Sequence, residues 1–300
     1  MSLRYAYYPG CSGLGTSLEY DTSTRAMCAL LGIELVEIPD WNCCGSTPAH
    51  AVDHLLSASL VGRNLAIVDD LAEDTHLDGI ITPCPSCLKN LKTTQYRMSQ
   101  PEFRSEVERV VGRTVRADLP IKSVLQVVAE DLGEDRLSSI ASAPLKGLRV
   151  VPYYGCIMVR PAQIMQFDDP ENPMALDNLL TSLGAEVLPF ALKTDCCGAS
   201  LATTRREVVT RLSGRILDAA AAAGADAIVA ACPLCQMNLD MRQAQINRAN
   251  QSGHSIPVIY YTQLAGLAAG QGEASIMMDK LCVSPRSLFA SLAARSVEGA

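Results

Sequence analysis

Short runs of β-branched and aromatic residues alternate along the chain with longer amphipathic stretches. This alternation is typical of parallel strands connected by helices, and it predicts the α/β fold class. Gly32 and Gly184 follow predicted helices directly and mark turns into strands, because a helix C-cap accepts a left-handed backbone. The predicted strands are residues 4–8, 34–37, 80–82, 149–153, 186–188 and 227–230.

The same order of features occurs twice. Residues 78–91 (DGIITPCPSCLKNL) align without a gap on residues 226–239 (DAIVAACPLCQMNL), and half of the positions are identical. A shared order of strands, helices and cysteines indicates a duplicated unit. We therefore predict two pseudo-symmetric Rossmann-like domains, each with a short parallel sheet flanked by helices. Their predicted extents are 1–140 and 148–300, and the segment 137–147, which is rich in Ser and Ala and contains Pro and Gly, forms the boundary.

Composition and charge narrow the class of protein. Nearly half of the 300 residues are apolar, which is typical of a globular protein. The net charge of −7 argues against nucleic-acid binding, because neutralising phosphates requires clustered Lys and Arg. Lys89, Lys92 and Arg97 do lie close together, but we interpret them as a solvated helix face.

The N-terminal segment lacks the apolar core and cleavage site of a signal peptide, which predicts a cytoplasmic protein. The longest apolar stretches are too short and interrupted to cross a bilayer, which takes about 20 apolar residues. We therefore expect no direct membrane insertion, and any contact with a membrane to be made through a partner.

Twelve cysteines in such a chain indicate metal or redox chemistry, since disulfides are rare in a reducing compartment. Ten of them form two sets of five, one set in each half. Both sets have the same order: a single Cys, then Cys-Cys-Gly, then Cys-Pro-x-Cys. Each motif lies just after a predicted strand or in a loop that returns to one. Loops at the carboxyl ends of parallel strands can meet at one point. The first set is Cys11, Cys43, Cys44, Cys84 and Cys87, and the second set is Cys156, Cys196, Cys197, Cys232 and Cys235.

Five thiolates from three loops are typical of an iron-sulfur cluster, because an extended multi-iron centre can use both sulfurs of an adjacent Cys-Cys pair. Gly45 and Gly198 would let the backbone approach such a centre. Pro85 and Pro233 would stiffen the loop between two ligands. Helices predicted to begin at residues 88 and 236 would direct N–H groups toward an anionic cluster.

Other interpretations have less support. A thioredoxin-like dithiol explains one Cys-Pro-x-Cys but leaves six cysteines without a role. A structural zinc ion takes four ligands, whereas each half offers five cysteines, so zinc is less favoured than cluster iron. We predict that Cys28 and Cys282 are inert core residues and that His50 and His54 are partly exposed positions of one helix. We interpret Trp41, Tyr153 and Tyr154, which lie near the cysteines in the sequence, as packing residues.

The tandem Cys-Cys-Gly domains, with the residues given above, resemble the B-type subunits of heterodisulfide reductases over nearly the whole chain, and we favour the bacterial sulfur-oxidation type among them. Related domains occur in iron-sulfur subunits of glycolate, lactate and glycerol-3-phosphate dehydrogenases. Those subunits usually carry ferredoxin-type cysteine runs as well, and this sequence has none.

The resemblance implies two noncubane [4Fe-4S] clusters, each held by the five cysteines of one half. A disulfide would be made or broken between them by the clusters themselves, without a catalytic side chain. Because no G-x-G-x-x-G nucleotide fingerprint is present, electrons must come from partners. The family implies a C-type iron-sulfur subunit and an A-type flavoprotein subunit.

We expect a role in cytoplasmic sulfur oxidation, with a disulfide or lipoate-bound sulfur as substrate. Two alternatives stay open. One is an electron-transfer subunit of a flavin dehydrogenase complex without its own substrate. The other is a methanogen-type subunit that reduces the mixed disulfide of coenzymes M and B. A zinc-bound structural protein is a third, less favoured interpretation.

Overall fold

The computed structural model describes residues 3–46, 48–142 and 145–290. Its strands form two four-stranded sheets with the orders β2-β1-β3-β4 and β6-β5-β7-β8, and every pairing is parallel. The predicted α/β class with two similar parallel sheets is confirmed. The strands are β1 Leu3–Tyr7, β2 Ile33–Glu37, β3 Gly79–Thr82, β4 Ile121–Ser123, β5 Arg149–Tyr153, β6 Glu186–Val187, β7 Ala227–Ala230 and β8 Val258–Tyr260.

Helices connect the strands and cover the sheets. In the first half they are α1 Gly10–Gly13, α2 Leu18–Leu31, α3 Pro48–Val52, α4 His54–Asp74, α5 Pro85–Arg97, α6 Pro101–Val111, α7 Val124–Val127 and α8 Glu134–Ile140. A π-helical segment, Val128–Leu132, extends α7. In the second half they are α9 Ala162–Met165, α10 Ala175–Ser182, α11 Arg206–Ala222, α12 Pro233–Asp240, α13 Gln243–Asn250 and α14 Tyr261–Ala268. Short 3₁₀ turns lie at Ala199–Leu201 and Met278–Lys280.

The fourth strand of each sheet is absent from the sequence prediction. Both β4 and β8 have three residues, follow a proline and lead directly into a helix, so neither is long enough to show alternation. The preceding prolines still contribute their carbonyl groups: Ile80 N–H donates to Pro120 O at 2.8 Å, and Ile228 N–H donates to Pro257 O at 3.0 Å. These prolines sit at sheet edges, where a missing N–H costs nothing.

The helices after the Cys-Pro-x-Cys motifs begin earlier than predicted. They start at Pro85 and Pro233 rather than at residues 88 and 236. A proline is favoured at the first helical position because its missing N–H has no intrahelical partner there. The two prolines therefore begin helices, and the second cysteine of each motif lies in the first helical turn.

The two halves share one hydrophobic core. Tyr20 of α2 stacks on Tyr260, with ring centroids 4.1 Å apart, and Ser23 Oγ lies 2.7 Å from Thr262 Oγ1 of α14. Reciprocally, α10 of the second half packs against α7 of the first. The same buried cluster contains Leu176 and Leu125. A smaller apolar cluster belongs mainly to each half separately.

Two glycines allow close contact between helices at equivalent places. Gly62 on α4 faces Val107 on α6, where an added Cβ would lie 2.6 Å from Val107 Cγ1. Gly214 on α11 faces Asn250 on α13, but there an added Cβ would meet the side-chain amide of Asn250, which can move aside. The α4–α6 pair is therefore the one packed at a distance that only a residue without a side chain permits.

We expect Gly62→Ala to destabilise the protein by roughly 1 kcal/mol or more. Overpacking costs about 1–3 kcal/mol, which exceeds the gain of about 0.5–1 kcal/mol that Ala brings to a helix interior. Chemical denaturation followed by circular dichroism measures the change. Gly253→Ala is the control, because an added Cβ meets no atom within 4 Å, and its effect should stay within about 0.5 kcal/mol. Equal stability of the two variants would contradict the packing argument.

Candidate metal centres

The sheet topology brings the cysteine loops together. In each half the order of strands reverses between the first and third strands, which are neighbours in the sheet. The carboxyl edge at such a reversal is where open α/β sheets bind ligands. Cys11 follows β1, Cys43 and Cys44 follow β2, and Cys84 and Cys87 follow β3, so the first set collects at this edge.

Within the first set, the thiols lie in two close pairs. Cys44 Sγ is 3.4 Å from Cys87 Sγ, and Cys43 Sγ is 3.9 Å from Cys11 Sγ. Cys44, Cys84 and Cys87 are buried, whereas Cys11 and Cys43 are exposed. The set therefore has a buried inner side and an open outer side.

The second set repeats this arrangement. Cys197 Sγ lies 3.5 Å from Cys235 Sγ, and the Cys156 thiol is hydrogen-bonded to Cys196. Cys197, Cys232 and Cys235 are buried, Cys196 is exposed, and Cys156 is intermediate. The same side chains are buried and exposed in both halves, apart from the partial burial of Cys156.

Each Cys-Cys-Gly turn directs backbone N–H groups at the thiols. Gly45 N–H donates to Cys43 Sγ at 3.5 Å, and Gly198 N–H donates to Cys196 Sγ at 3.3 Å. Both glycines have a positive φ, +73° and +84°, which favours glycine. Donated hydrogen bonds stabilise the thiolate: those from Cys43 and Cys87 lower the pKa of Cys44 to about 3.

A tyrosine and an asparagine fix the backbone of each Cys-Cys pair. The Tyr8 hydroxyl donates to Asn42 O at 2.7 Å, and the Tyr153 hydroxyl donates to Asp195 O at 2.6 Å. The Asn90 amide donates to Cys44 O at 2.5 Å, and Asn238 donates to Cys197 O at 3.4 Å. The cysteine loops are thus held by matching side chains in both halves.

Sequence reasoning assigned no role to Tyr8, Asn90 or Asn238. The repeat alignment contains the signal, because Asn90 and Asn238 are identical aligned positions and Tyr8 aligns with Tyr153. The packing interpretation of Trp41 agrees with its edge contact on Tyr8, with ring centroids 5.4 Å apart.

Two observations fit a bulky sulfur-ligated centre at each edge. The donors are thiols alone, five in each half, which is the ligand chemistry of iron-sulfur clusters. The backbone also approaches the thiols closely: a Cβ added to Gly10 would lie 3.1 Å from Cys87 Sγ, and one added to Gly155 would lie 2.7 Å from Cys235 Sγ. Among the described residues, no group of three or more His, Cys, Asp or Glu side chains is arranged to hold a single metal ion.

A cavity of about 330 Å³ lies between the two halves beside the second set. All five cysteines of that set line it. The first half contributes residues next to its own cysteines, namely Ser46, Pro85 and Ser86, together with His50 and Lys89. The cavity therefore opens on the second set of cysteines, and the first half borders it with residues next to its own cysteines, whereas no cysteine of the first set lines it.

The remaining predictions have mixed outcomes. Cys28 is fully buried in α2, as predicted. Cys282 is exposed, so its predicted core position is wrong; its backbone is anchored through an N–H bond to Asp240. His50 and His54 are exposed, but they lie on separate helices, α3 and α4, because Asp53 caps the second one.

Comparison with known proteins agrees with the duplicated fold. The model of the CCG cysteine-rich domain matches residues 5–92 and 150–240. The chain therefore belongs to the CCG cysteine-rich domain family, of which it carries two copies. Within that family it is one of the iron-sulfur proteins that are similar to the B-type subunits of heterodisulfide reductases.

Curated relatives cover most of the chain. An 8-methylmenaquinol:fumarate reductase membrane anchor subunit of Wolinella succinogenes is 32% identical over 273 residues, 90% of this chain and 93% of that protein. A protein of Archaeoglobus profundus that is named for its likeness to the B-type heterodisulfide reductase subunit is 28% identical, covering 95% and 96%. The B-type subunit of the ferredoxin:CoB-CoM heterodisulfide reductase of Methanosarcina mazei is 27% identical, covering 83% and 84%.

A solved structure shares the fold. A hypothetical protein from Helicobacter pylori superposes with a TM-score of 0.70 at 10% identity, and the match covers 94% of this chain and 52% of that one. No helix among residues 3–46, 48–142 and 145–290 is long and apolar enough to span a membrane.

In the metal-free protein we expect iodoacetamide to modify Cys196 faster than Cys282 at pH 7. Both are exposed, but the hydrogen bond from Cys156 lowers the pKa of Cys196 to about 6, whereas burial and Asp240 raise the pKa of Cys282. The Cys196 thiolate is present above that pKa and is lost as the pH falls through it, so its rate should drop about tenfold from pH 7 to pH 5. Timed alkylation with peptide mass spectrometry measures both rates; a faster Cys282 would contradict the assignment.

Proposed function

We propose that this chain is the catalytic iron-sulfur subunit of a heterodisulfide reductase-like complex, in which a disulfide or sulfur-bound thiol is made or broken between two noncubane [4Fe-4S] clusters. The observation that carries the proposal is the cavity between the two halves, which all five cysteines of the second set line and which the first half borders with Ser46, Pro85 and Ser86, next to its own cysteines. An electron relay needs no such space, whereas a substrate that reacts between two centres does.

The proposed ligands are the ten motif cysteines, five in each half. Cys11, Cys43, Cys44, Cys84 and Cys87 would hold the first cluster, and Cys156, Cys196, Cys197, Cys232 and Cys235 the second. The clusters would supply or accept the two electrons that separate a disulfide from two thiols, with two protons taken up on reduction and released on oxidation. We propose the oxidative direction, in cytoplasmic sulfur metabolism.

The chain itself would bind the sulfur compound and limit access of water. Ile157, Ala199 and Leu234 form an apolar part of the cavity wall, which suits a poorly hydrated sulfur-sulfur bond. The backbone N–H groups of the Cys-Cys-Gly turns would hold the thiolates in place. Electrons would pass to or from a C-type iron-sulfur subunit and an A-type flavoprotein subunit, in keeping with relatives named as subunits of reductases.

A second candidate is an electron-transfer subunit of a flavin-dependent complex with no substrate of its own. The observation in its favour is the 32% identity to the anchor subunit of a fumarate reductase, over 93% of that protein. Both candidates use the same ten cysteines, so metal content does not distinguish them.

We expect anaerobically purified protein to contain about eight irons per chain, with as much acid-labile sulfide. Cys235→Ser should lower the iron content to about four, because only the second site loses a ligand. Cys28→Ala is the matched control: Cys28 is also a buried cysteine but lies outside both sets, and its iron content should be unchanged. Colourless protein with stoichiometric zinc would overturn the iron-sulfur proposal.

The disulfide chemistry is tested by electron paramagnetic resonance. We expect oxidation in the presence of a thiol to produce a paramagnetic signal that is absent without the thiol, since the substrate sulfur would engage the oxidised centre. Cys235→Ser should abolish or alter the signal and Cys28→Ala should preserve it. A signal that is indifferent to thiols, in protein with full iron content, would favour the electron-transfer candidate.

A further inference from the structure

The side-chain amide of Asn238 contacts a cysteine sulfur of the second set. Its Nδ2 donates to Cys197 Sγ at 3.7 Å and to Cys197 O at 3.4 Å. Both of these atoms are acceptors, so the amide must direct its NH2 group at them and its oxygen away. Asn238 lies on α12 and is fully buried, and water therefore does not compete for these two bonds.

The remaining contacts of this amide indicate that the sulfur is its main acceptor. Ser213 Oγ donates to Cys197 O at 3.0 Å, so a second residue already satisfies that carbonyl with a shorter bond than the one from Asn238. Asn238 Oδ1 is buried and accepts no hydrogen bond from a described residue. A buried polar atom without a partner is costly, so the bonded NH2 group is what accounts for an amide at this position.

The aligned asparagine of the first half has a different role. Asn90 Nδ2 donates to Cys44 O at 2.5 Å and to Ser57 Oγ at 3.0 Å, and Asn90 Oδ1 accepts from Ser57 Oγ at 3.4 Å. Within the described ranges no hydrogen bond joins this amide to a cysteine sulfur. Asn90 therefore fixes only the backbone of its Cys-Cys pair, whereas Asn238 also contacts the sulfur.

In the first half a serine hydroxyl contacts the equivalent sulfur. The N–H and the hydroxyl of Ser46 both hydrogen-bond to the Cys44 sulfur. Ala199 lies at the position equivalent to Ser46 and gives Cys197 its N–H alone. The equivalent cysteines Cys44 and Cys197 thus each receive one side-chain donor, from the Cys-Cys-Gly loop in the first half and from α12 in the second.

A hydrogen bond to a cysteine ligand raises the reduction potential of an iron-sulfur cluster. Reduction adds negative charge, part of which resides on the cysteine sulfurs, so a donor stabilises the reduced state more than the oxidised state. The effect is larger where the surroundings are buried, because the local dielectric constant is low. Cys44 and Cys197 are both buried, so a donor to either sulfur should have a measurable effect.

We propose that Asn238 is a positioning residue that raises the reduction potential of the cluster in the second half, and that Ser46 has this role in the first half. The inference rests on the proposed function for the presence of the two clusters. Two centres with the same cysteine ligands would then have potentials that are set by different side chains. The potential of either centre could change without any change in its ligands.

The test is a redox titration of the full cluster-loaded protein without oxygen, followed by absorption and electron paramagnetic resonance. Cys235→Ser, which retains the first site, and Cys87→Ser, which retains the second, assign each midpoint potential to its half. We expect Asn238→Leu to shift the reduction equilibrium of the second cluster roughly tenfold toward the oxidised state, which is about 59 mV for one electron. The first cluster should be unaffected.

Two further variants separate the sulfur contact from the support of the backbone. Asn90→Leu is the matched control: it removes the bond to the Cys44 carbonyl but no donor to a sulfur, so the potential of the first cluster should be unchanged. Ala199→Ser supplies the second half with the hydroxyl that Ser46 gives the first, and should raise the potential of the second cluster. Iron content and circular dichroism verify that each variant is loaded and folded.

Three results would overturn the inference. One is an unchanged second potential in fully loaded Asn238→Leu, and another is a shift in Asn90→Leu as large as that in Asn238→Leu. If Asn238→Leu does not retain its cluster, an unchanged second potential in Ala199→Ser is the third.

Failure of the proposed function gives a different pattern. Potentials that depend on Asn238, together with a paramagnetic signal indifferent to thiols, would leave the role of Asn238 standing and remove the disulfide chemistry. A thiol-dependent signal, with a second potential that responds to neither variant, would retain the chemistry and remove the role of Asn238. Unaltered protein without iron would overturn both.

Discussion

The structure depends on holding five thiols at the edge of each parallel sheet, three of them buried where the thiolate is unfavourable unless hydrogen bonds stabilise it. The sheet gathers three loops at one edge, but a loop alone does not fix the direction of a side chain. Hydrogen bonds to the backbone around each Cys-Cys pair fix that direction. In each half the donors are a tyrosine at the end of the first strand and an asparagine in the helix that follows the third strand. Buried polar bonds of this kind hold one arrangement, because leaving either partner unpaired is costly.

The arrangement of the cysteines is the same in both halves, whereas their surroundings differ. The second half carries apolar side chains around its cysteines, and the first carries serines, a lysine and a histidine on the facing wall of the cavity. The difference between the two sides of the cavity thus leaves the arrangement of the cysteines unchanged.

Much of this could be predicted from the sequence, because the repeat keeps the same order of features throughout and is gapless over residues 78–91 and 226–239. The repeat indicated two sheets and placed all ten cysteines after strands. The prediction missed β4 and β8, because three residues are too few for periodicity, and it began α5 too late because it treated Pro85 as a loop residue rather than a helix start. Tyr8 binds the backbone of Asn42, which is distant in the sequence, and Lys89 lines a cavity formed by both halves. A local sequence pattern does not indicate such contacts.

The reciprocal packing of α2 on α14 and of α10 on α7 has a consequence for the two copies of the domain. Each half lends one helix to the other and receives the equivalent one, which is the self-complementary contact of a twofold dimer. A chain with a single copy of the domain would expose this apolar surface and would bury it by pairing with itself. Two copies within one polypeptide make this contact without a second chain, and covalent linkage allows the two faces to differ.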